Sequence, residues 1–372
     1  MTEGVTESSA APNAGGRHIV ALDGLRGIAA IGVVLYHSEL GARFGVFTQG
    51  WLAVDFFLCL SGYVIGLAYD KRIVAGMALG TFARARVIRL YPMVFVGGLL
   101  AILMAPVIPQ IQFCLAGHPE RRLPGIASQL TMVPMWVGPC VYAFNNVFWS
   151  LFFELVANLV HFFVLWRLSD RARLWLIAGL FCVLCGLGIR DGWINYGAFP
   201  DSFWKALPRC LFSYLIGYSL FRTRDRWAGR LPAISFATIA ATLFAVLIAP
   251  PLGGKLPASG ALRFIAVAEE MAILALVFPC ILATGVSSGA GGRWLKALGA
   301  ASYPLYAIHA PLVLALIAAV ARLQPRHPAW ATAGGIVAVV ILAWLLAVTV
   351  DLPLNRLCSR KLAERRLAAA QL

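Results

Sequence analysis

The chain reads as a succession of long apolar blocks separated by short polar and often basic stretches. The blocks fall at approximately 18–38, 49–69, 90–112, 145–166, 173–189, 205–221, 232–250, 262–284, 300–321 and 330–351. Each runs to about 17–25 residues, the length of helix that crosses a hydrocarbon core. The pattern predicts an all-α polytopic membrane bundle of about ten transmembrane helices. The fairly apolar stretch 123–137 reads as a re-entrant or interfacial piece, and the longest segment outside the spans is 113–144.

Composition supports that class. Of 372 residues, 60% are hydrophobic and 13% charged, with a mean hydropathy of +0.81. A soluble domain carries about a quarter charged residues. The placement of Lys and Arg sets an expected orientation. With the N-terminus in the cytoplasm, twenty of the 31 Lys and Arg residues fall on the inner side and nine on the outer. Arg26 and Arg209 lie inside helices. The positive-inside rule then places both termini in the cytoplasm. The net charge of +15 is spread over loops, where anionic headgroups lie, so nucleic acid is excluded as a partner and the lipid bilayer is expected.

Residues 1–16, "MTEGVTESSAAPNAGG", are small and polar, without the basic start of a signal peptide. They are expected to form a disordered cytoplasmic tail, followed by a transmembrane domain over 17–357 and a basic cytoplasmic tail over 358–372. Cys114 and Cys140 share the outer segment 113–144, as a disulfide or as two free thiols. Cys182 and Cys185 form C-x-x-C inside an apolar helix without neighbouring histidines, so no metal site is expected.

The first block, "ALDGLRGIAAIGVVLYHS", buries charge where apolar residues dominate. Arg26 and His37 are eleven residues apart, hence turned by about 20° from each other and separated by about 16 Å along a helix axis. Asp23 precedes Arg26 by three and joins the same stripe. A charge at membrane depth costs roughly 2.5–3.5 kcal/mol on insertion scales. Pairing with Asp23 offsets part of that cost. A bland ion pair explains Arg26 and Asp23, yet nothing in it requires His37 on the same stripe.

"LDGLRGIAAIGVVLYH" resembles the opening signature of the acyltransferase-3 family, integral membrane enzymes that acylate glycans and other extracytoplasmic molecules. The family's basic residue, ten positions and histidine are matched by Arg26 and His37. Further blocks match in order. "GWLAVDFFLCLSGYVIG" carries Phe56, Phe57, Ser61 and Gly62, with Ala53 in place of a usual glycine. "FARARVIRLYP" carries Arg86 and Arg89, and "NNVFWSLFFELVANLV" carries Trp149, Ser150 and Glu154. "LGAASYPLYAIHAPLV" carries Ser302, Tyr303, Tyr306 and His309. "DLPLNRL" departs from the family by placing Asp351 where Glu is frequent. The likeness extends from about 17 to 357.

The resemblance implies an O-acyltransferase in the bacterial cytoplasmic membrane. Its donor would be cytoplasmic acyl-coenzyme A, most commonly acetyl-coenzyme A, used as a co-substrate with no permanently bound cofactor. Its acceptor would be a carbohydrate or glycolipid outside. Arg86 and Arg89, at i and i+3, present two guanidinium forks suited to the donor's phosphates. The bland alternative is positive-inside anchoring. His37 is the candidate general base, by direct attack or through an acyl-imidazole. Arg26 either stabilises the developing oxyanion, holds the donor's arm, or merely pairs with Asp23.

Glu154, a candidate catalytic residue, is the next intramembrane carboxylate, on one helical face with Ser150, Asn158 and His161. Trp149, Ser150, Tyr306 and His309 are candidate substrate-binding residues, although Tyr306 and His309 are equally compatible with a structural hydrogen-bond knot. Glu269 and Glu270 are candidate partners of Arg209 or Arg263. A transporter or flippase using the same charges is the competing class, and an inactive sensor the third. The two halves of the chain show no repeat of the kind many transporters carry.

Overall fold

The computed structural model describes residues 19–38, 45–116, 119–135, 139–254, 257–358 and 360. The expected amino-terminal tail over 1–16, and all of the carboxy-terminal tail except residues 358 and 360, lie outside the described residues.

Ten principal helices run through the described residues. They are α1 (Val20–His37), α2 (Ala53–Val74), α3 (Leu79–Met104), α4 (Phe148–Phe163), α5 (Asp170–Asp191), α6 (Ala206–Arg222), α7 (Phe236–Ile248), α8 (Leu262–Ser287), α9 (Arg293–Leu323) and α10 (Pro328–Leu346). No strand occurs among the described residues. Seven of the ten are long and apolar enough to cross a membrane, while α4 and α7 are shorter apolar helices of 16 and 13 residues. The seventeen-residue α6 carries the buried Arg209. The molecule is an all-α membrane bundle.

Two helices start more than a turn before their apolar blocks. α3 begins at Leu79 and α9 at Arg293, so the basic residues before each block belong to the helix. The reason is local: Arg and Lys end an apolar run, yet they are good helix formers. Arg86 and Arg89 therefore stand on rigid helix rather than on a loop.

α1 packs chiefly on α9, α2 on α6, and α9 also on α3 and α10. Close approach of α1 to α9 needs a missing side chain, because a Cβ on Gly27 would lie 2.7 Å from Leu298 Cβ. The α2–α6 contact is held by charge. Arg209 and Asp55 are both fully buried, with Nη2 2.6 Å from Oδ2. Arg209 also donates to the Tyr196 carbonyl at 2.9 Å and to Asn195 Oδ1 at 3.1 Å, and Ser213 donates to Asp55 at 3.0 Å. Such a pair is tolerable in a dry interior only when its remaining hydrogen-bonding groups are filled.

The proposed pairing of Arg209 or Arg263 with Glu269 or Glu270 is thereby corrected. Arg209 takes Asp55, and Arg263 donates to the carbonyls of Gly260 and Ile189. Glu270 accepts the Ile194 N–H at 2.9 Å, and Glu269 accepts from Gln49 at 2.8 Å. These carboxylates fasten loops to α8, where backbone donors would otherwise be unsatisfied.

Among its described residues the segment 113–144 is partly packed against the bundle and partly exposed. It contains the short helices Pro109–Leu115, at its start, and Arg122–Thr131, and a disulfide joins Cys114 to Cys140. Residues 141–145 are almost completely buried. Irregular backbone of this kind is acceptable in a membrane protein when protein surrounds it.

Candidate functional site

A cavity of about 180 Å³ opens between α1, α2, α3, α4 and α9. Its polar wall comes from Arg26, Arg86, Arg89, Glu154, Ser150 and Tyr306, joined by Ser61, Ser302 and Tyr303. Its apolar wall is mostly α2, including Val54, Phe57 and Leu58.

Each guanidinium in the wall has a carboxylate partner. Arg26 Nη2 lies 3.2 Å from Asp23 Oδ1 and donates to the Gly299 carbonyl at 2.9 Å, while its Nε donates to Ser302 Oγ at 2.8 Å. Arg86 Nη2 lies 3.4 Å from Glu154 Oε1, which also accepts from Ser61 Oγ at 3.1 Å. Arg89 Nη1 lies 3.0 Å from Asp351 Oδ2, and its guanidinium sits 5.0 Å from the Tyr303 ring centroid. A π-helical turn over Ala347–Asp351 extends α10 and ends at Asp351, which is 1% exposed. Arg86 Nε is buried without a hydrogen-bond partner among the described residues, and the Arg89 side chain keeps 34% of its surface open. Both arginines retain donors for an anion.

At the other side of the cavity, Ser150 Oγ and Tyr306 Oη share a hydrogen bond of 2.5 Å. The Tyr306 ring is 5.6 Å from that of His309, and His309 is 5.1 Å from His37, all centroid to centroid. In both histidines Nδ1 meets a backbone carbonyl, Val33 O at 2.9 Å for His37 and Tyr306 O at 2.8 Å for His309. A carbonyl only accepts, so in each neutral ring Nδ1 carries the proton and Nε2 presents a lone pair. His309 Nε2 is buried and has no hydrogen-bond partner among the described residues.

Six of the ten expected site residues thus line one cavity: Arg26, Arg86, Arg89, Ser150, Glu154 and Tyr306. Asp23 stands behind Arg26 as its partner. His37 and His309 are outside the lining and connect to it through Tyr306. Trp149 is also outside the lining. It is buried beside Arg209, whose guanidinium lies 5.5 Å from its ring, and packs on Phe153. Its helix neighbour Ser150 points to the cavity because adjacent helical residues are turned by about 100°.

The face shared by Ser150, Glu154, Asn158 and His161 divides by depth. His161 leaves the cavity and binds Asp70 at 2.8 Å, in a cluster with Tyr218. Ser61 and Asp351 carried no assigned role in the sequence, although both lay in recognised blocks. Their partners, Glu154 and Arg89, are 93 and 262 positions away in the chain, beyond the reach of helical spacing.

The family model described as an acyltransferase domain matches residues 19–348. "Protein 2 in picA locus" of Rhizobium radiobacter is 35% identical over 164 positions, covering 38% of this chain and 80% of that protein. "Peptidoglycan O-acetyltransferase OatA" of Listeria monocytogenes is 25% identical over 377 positions, covering 91% of this chain. The alignment covers 56% of the Listeria protein, so the chain spans little more than half of that relative. No solved structure matches the chain. With the matched region running through nearly all of the described helices, the chain belongs to the acyltransferase-3 family of integral membrane acyltransferases.

Proposed function

We propose that the protein transfers an acyl group, in the simplest case acetyl, from cytoplasmic acyl-coenzyme A to a hydroxyl of an extracytoplasmic or lipid-linked saccharide. One observation carries this reading: a single cavity joins the Arg86 and Arg89 side to Tyr306, one ring from the His309–His37 pair. Two arginines at i and i+3 on α3 suit the donor's phosphates. Arg26 donates towards Gly299 and Ser302 and pairs with Asp23, three residues before it on α1, an arrangement that supports a role at the donor's arm more than at the oxyanion. The apolar wall of α2 receives the chain of that arm.

His37 acts as the general base. Its Nε2 takes the proton of the acceptor hydroxyl while the oxygen bonds to the thioester carbonyl carbon. Collapse of the tetrahedral intermediate breaks the C–S bond, and the proton returns to the departing thiolate. Tyr306 and Ser150 place two hydrogen-bonded hydroxyls on the histidine side of the cavity, where they line the path of the reacting groups. The peptidoglycan acetyltransferase among the relatives supports a saccharide acceptor and an acetyl group.

The test is acyl transfer from labelled acetyl-coenzyme A in membranes, with mass spectrometry of surface glycans from a deletion strain. Loss of a fixed mass per sugar, restored by the wild-type gene and not by His37→Ala, is the expected result. Uptake of an unmodified substrate into vesicles, with no covalent product, would replace this reading by transport.

A further inference from the structure

We infer that Asn145 is a positioning residue, a brace that holds the proline-interrupted turn of α9 beside Tyr306 and His309; this rests on the acyl-transfer reading above. Pro311 lies inside α9. It has no N–H, so the carbonyl four residues earlier, that of Ala307, loses its helical donor, and the proline ring pushes that carbonyl aside. The orphaned oxygen is answered from another part of the chain: Asn145 Nδ2 donates to Ala307 O at 2.8 Å. A carbonyl accepts only, which sets the orientation of the Asn145 amide.

The surroundings make the brace specific. Asn145 is 1% exposed, and its own N–H donates to Gln129 Oε1 at 2.8 Å. Gln129 is fully buried on the helix Arg122–Thr131, inside the segment closed by the Cys114–Cys140 disulfide. On the opposite side, a Cβ at Gly97 would collide with the Ala307 carbonyl oxygen, so α3 approaches there with bare backbone.

The braced peptide is adjacent to the chemistry. Tyr306 immediately precedes Ala307 and shares its hydroxyl bond with Ser150 in the cavity wall. His309 follows two residues later and anchors Nδ1 on the Tyr306 carbonyl. Losing the brace lets that turn shift and displaces both side chains, while the donor's arginines on α3 stay in place. The consequence is a loss in kcat rather than in donor affinity.

Pro311 provides the decisive control. Pro311→Ala restores a backbone N–H able to meet Ala307 O within the helix, so Asn145 is no longer required. We expect Asn145→Ala to lower kcat by about tenfold, the rate equivalent of one buried hydrogen bond, with donor KM within about twofold. In the Pro311→Ala background the same change should cost less than about threefold. Hydrogen exchange of the segment 304–315 in detergent should rise when Asn145→Ala is made in the wild-type background and stay unchanged when it is made in the Pro311→Ala background. An equal loss of kcat in both backgrounds, no loss in the wild-type background, or an effect confined to KM overturns the brace. If Asn145→Ala prevents accumulation of the protein, recovery by Pro311→Ala supports the brace, and failure to recover overturns it. Absence of acyl transfer in the wild-type protein would overturn the proposed function, and the exchange comparison would still decide the role of Asn145.

Discussion

The imidazole rings of His37 and His309 lie 5.1 Å apart, on α1 and α9, each with its Nδ1 held by a backbone carbonyl. In the neutral form each ring then carries its proton on Nδ1 and keeps a lone pair on Nε2. They differ in access: His37 is partly exposed, whereas His309 is fully buried. His37→Ala is expected to lower kcat by about 10²–10⁴-fold, the usual contribution of a general base. His309→Ala should lower it less, and His309→Gln should recover part of the loss. Turnover with labelled acetyl-coenzyme A in membranes, normalised to protein level, checks both.

Arg89 and Asp351 meet at 3.0 Å at the edge of the cavity. Arg89→Ala is expected to raise donor KM by about tenfold, consistent with loss of one charge-assisted contact to phosphate. Asp351→Asn keeps an acceptor for the guanidinium and should change KM by less than about threefold. Binding of labelled acyl-coenzyme A to purified protein separates these effects from turnover.

Arg209 and Asp55 form a stability element, and Trp149 belongs to it. Removing one member of a fully buried pair strands the other charge, at a cost of about 3–5 kcal/mol. Asp55→Ala and Arg209→Ala should each lower the thermal transition strongly in detergent. Trp149→Ala should lower it as well, while leaving donor KM unchanged. A raised donor KM without a stability loss would return Trp149 to the binding site.

The Cys114–Cys140 disulfide closes the segment that carries Gln129. Replacing both cysteines with serine is expected to lower stability by about 2–4 kcal/mol, the common range for a loop-closing disulfide. Thermal unfolding with and without reductant provides the measurement. Reductant should shift the wild-type protein and leave the double serine variant unchanged.

Much of the bundle was legible because apolar block length reports helices directly. Local helical geometry was legible too. Asp23 and Arg26, three residues apart on α1, do form a salt bridge, as do other i and i+3 pairs such as Asp170 and Arg173. α3 and α9 start before their apolar blocks, because charged residues end an apolar run without ending a helix. Spacing alone leaves Cys114 and Cys140 as a disulfide or as free thiols, and the fold that brings their Cα atoms to 5.7 Å joins them.

By itself, the sequence determined the membrane class, the family, and which residues share a face of each helix, since these follow from composition, ordered motifs and a 3.6-residue period. Only the tertiary structure decided which faces meet. It paired Arg89 with Asp351 across 262 positions, Ser150 with Tyr306 across 156, and Arg209 with Asp55 across 154. It also turned Trp149 towards Arg209 rather than into the cavity. Helical periodicity states where a side chain points around its own axis, but the partner opposite is set by packing among helices distant in the chain.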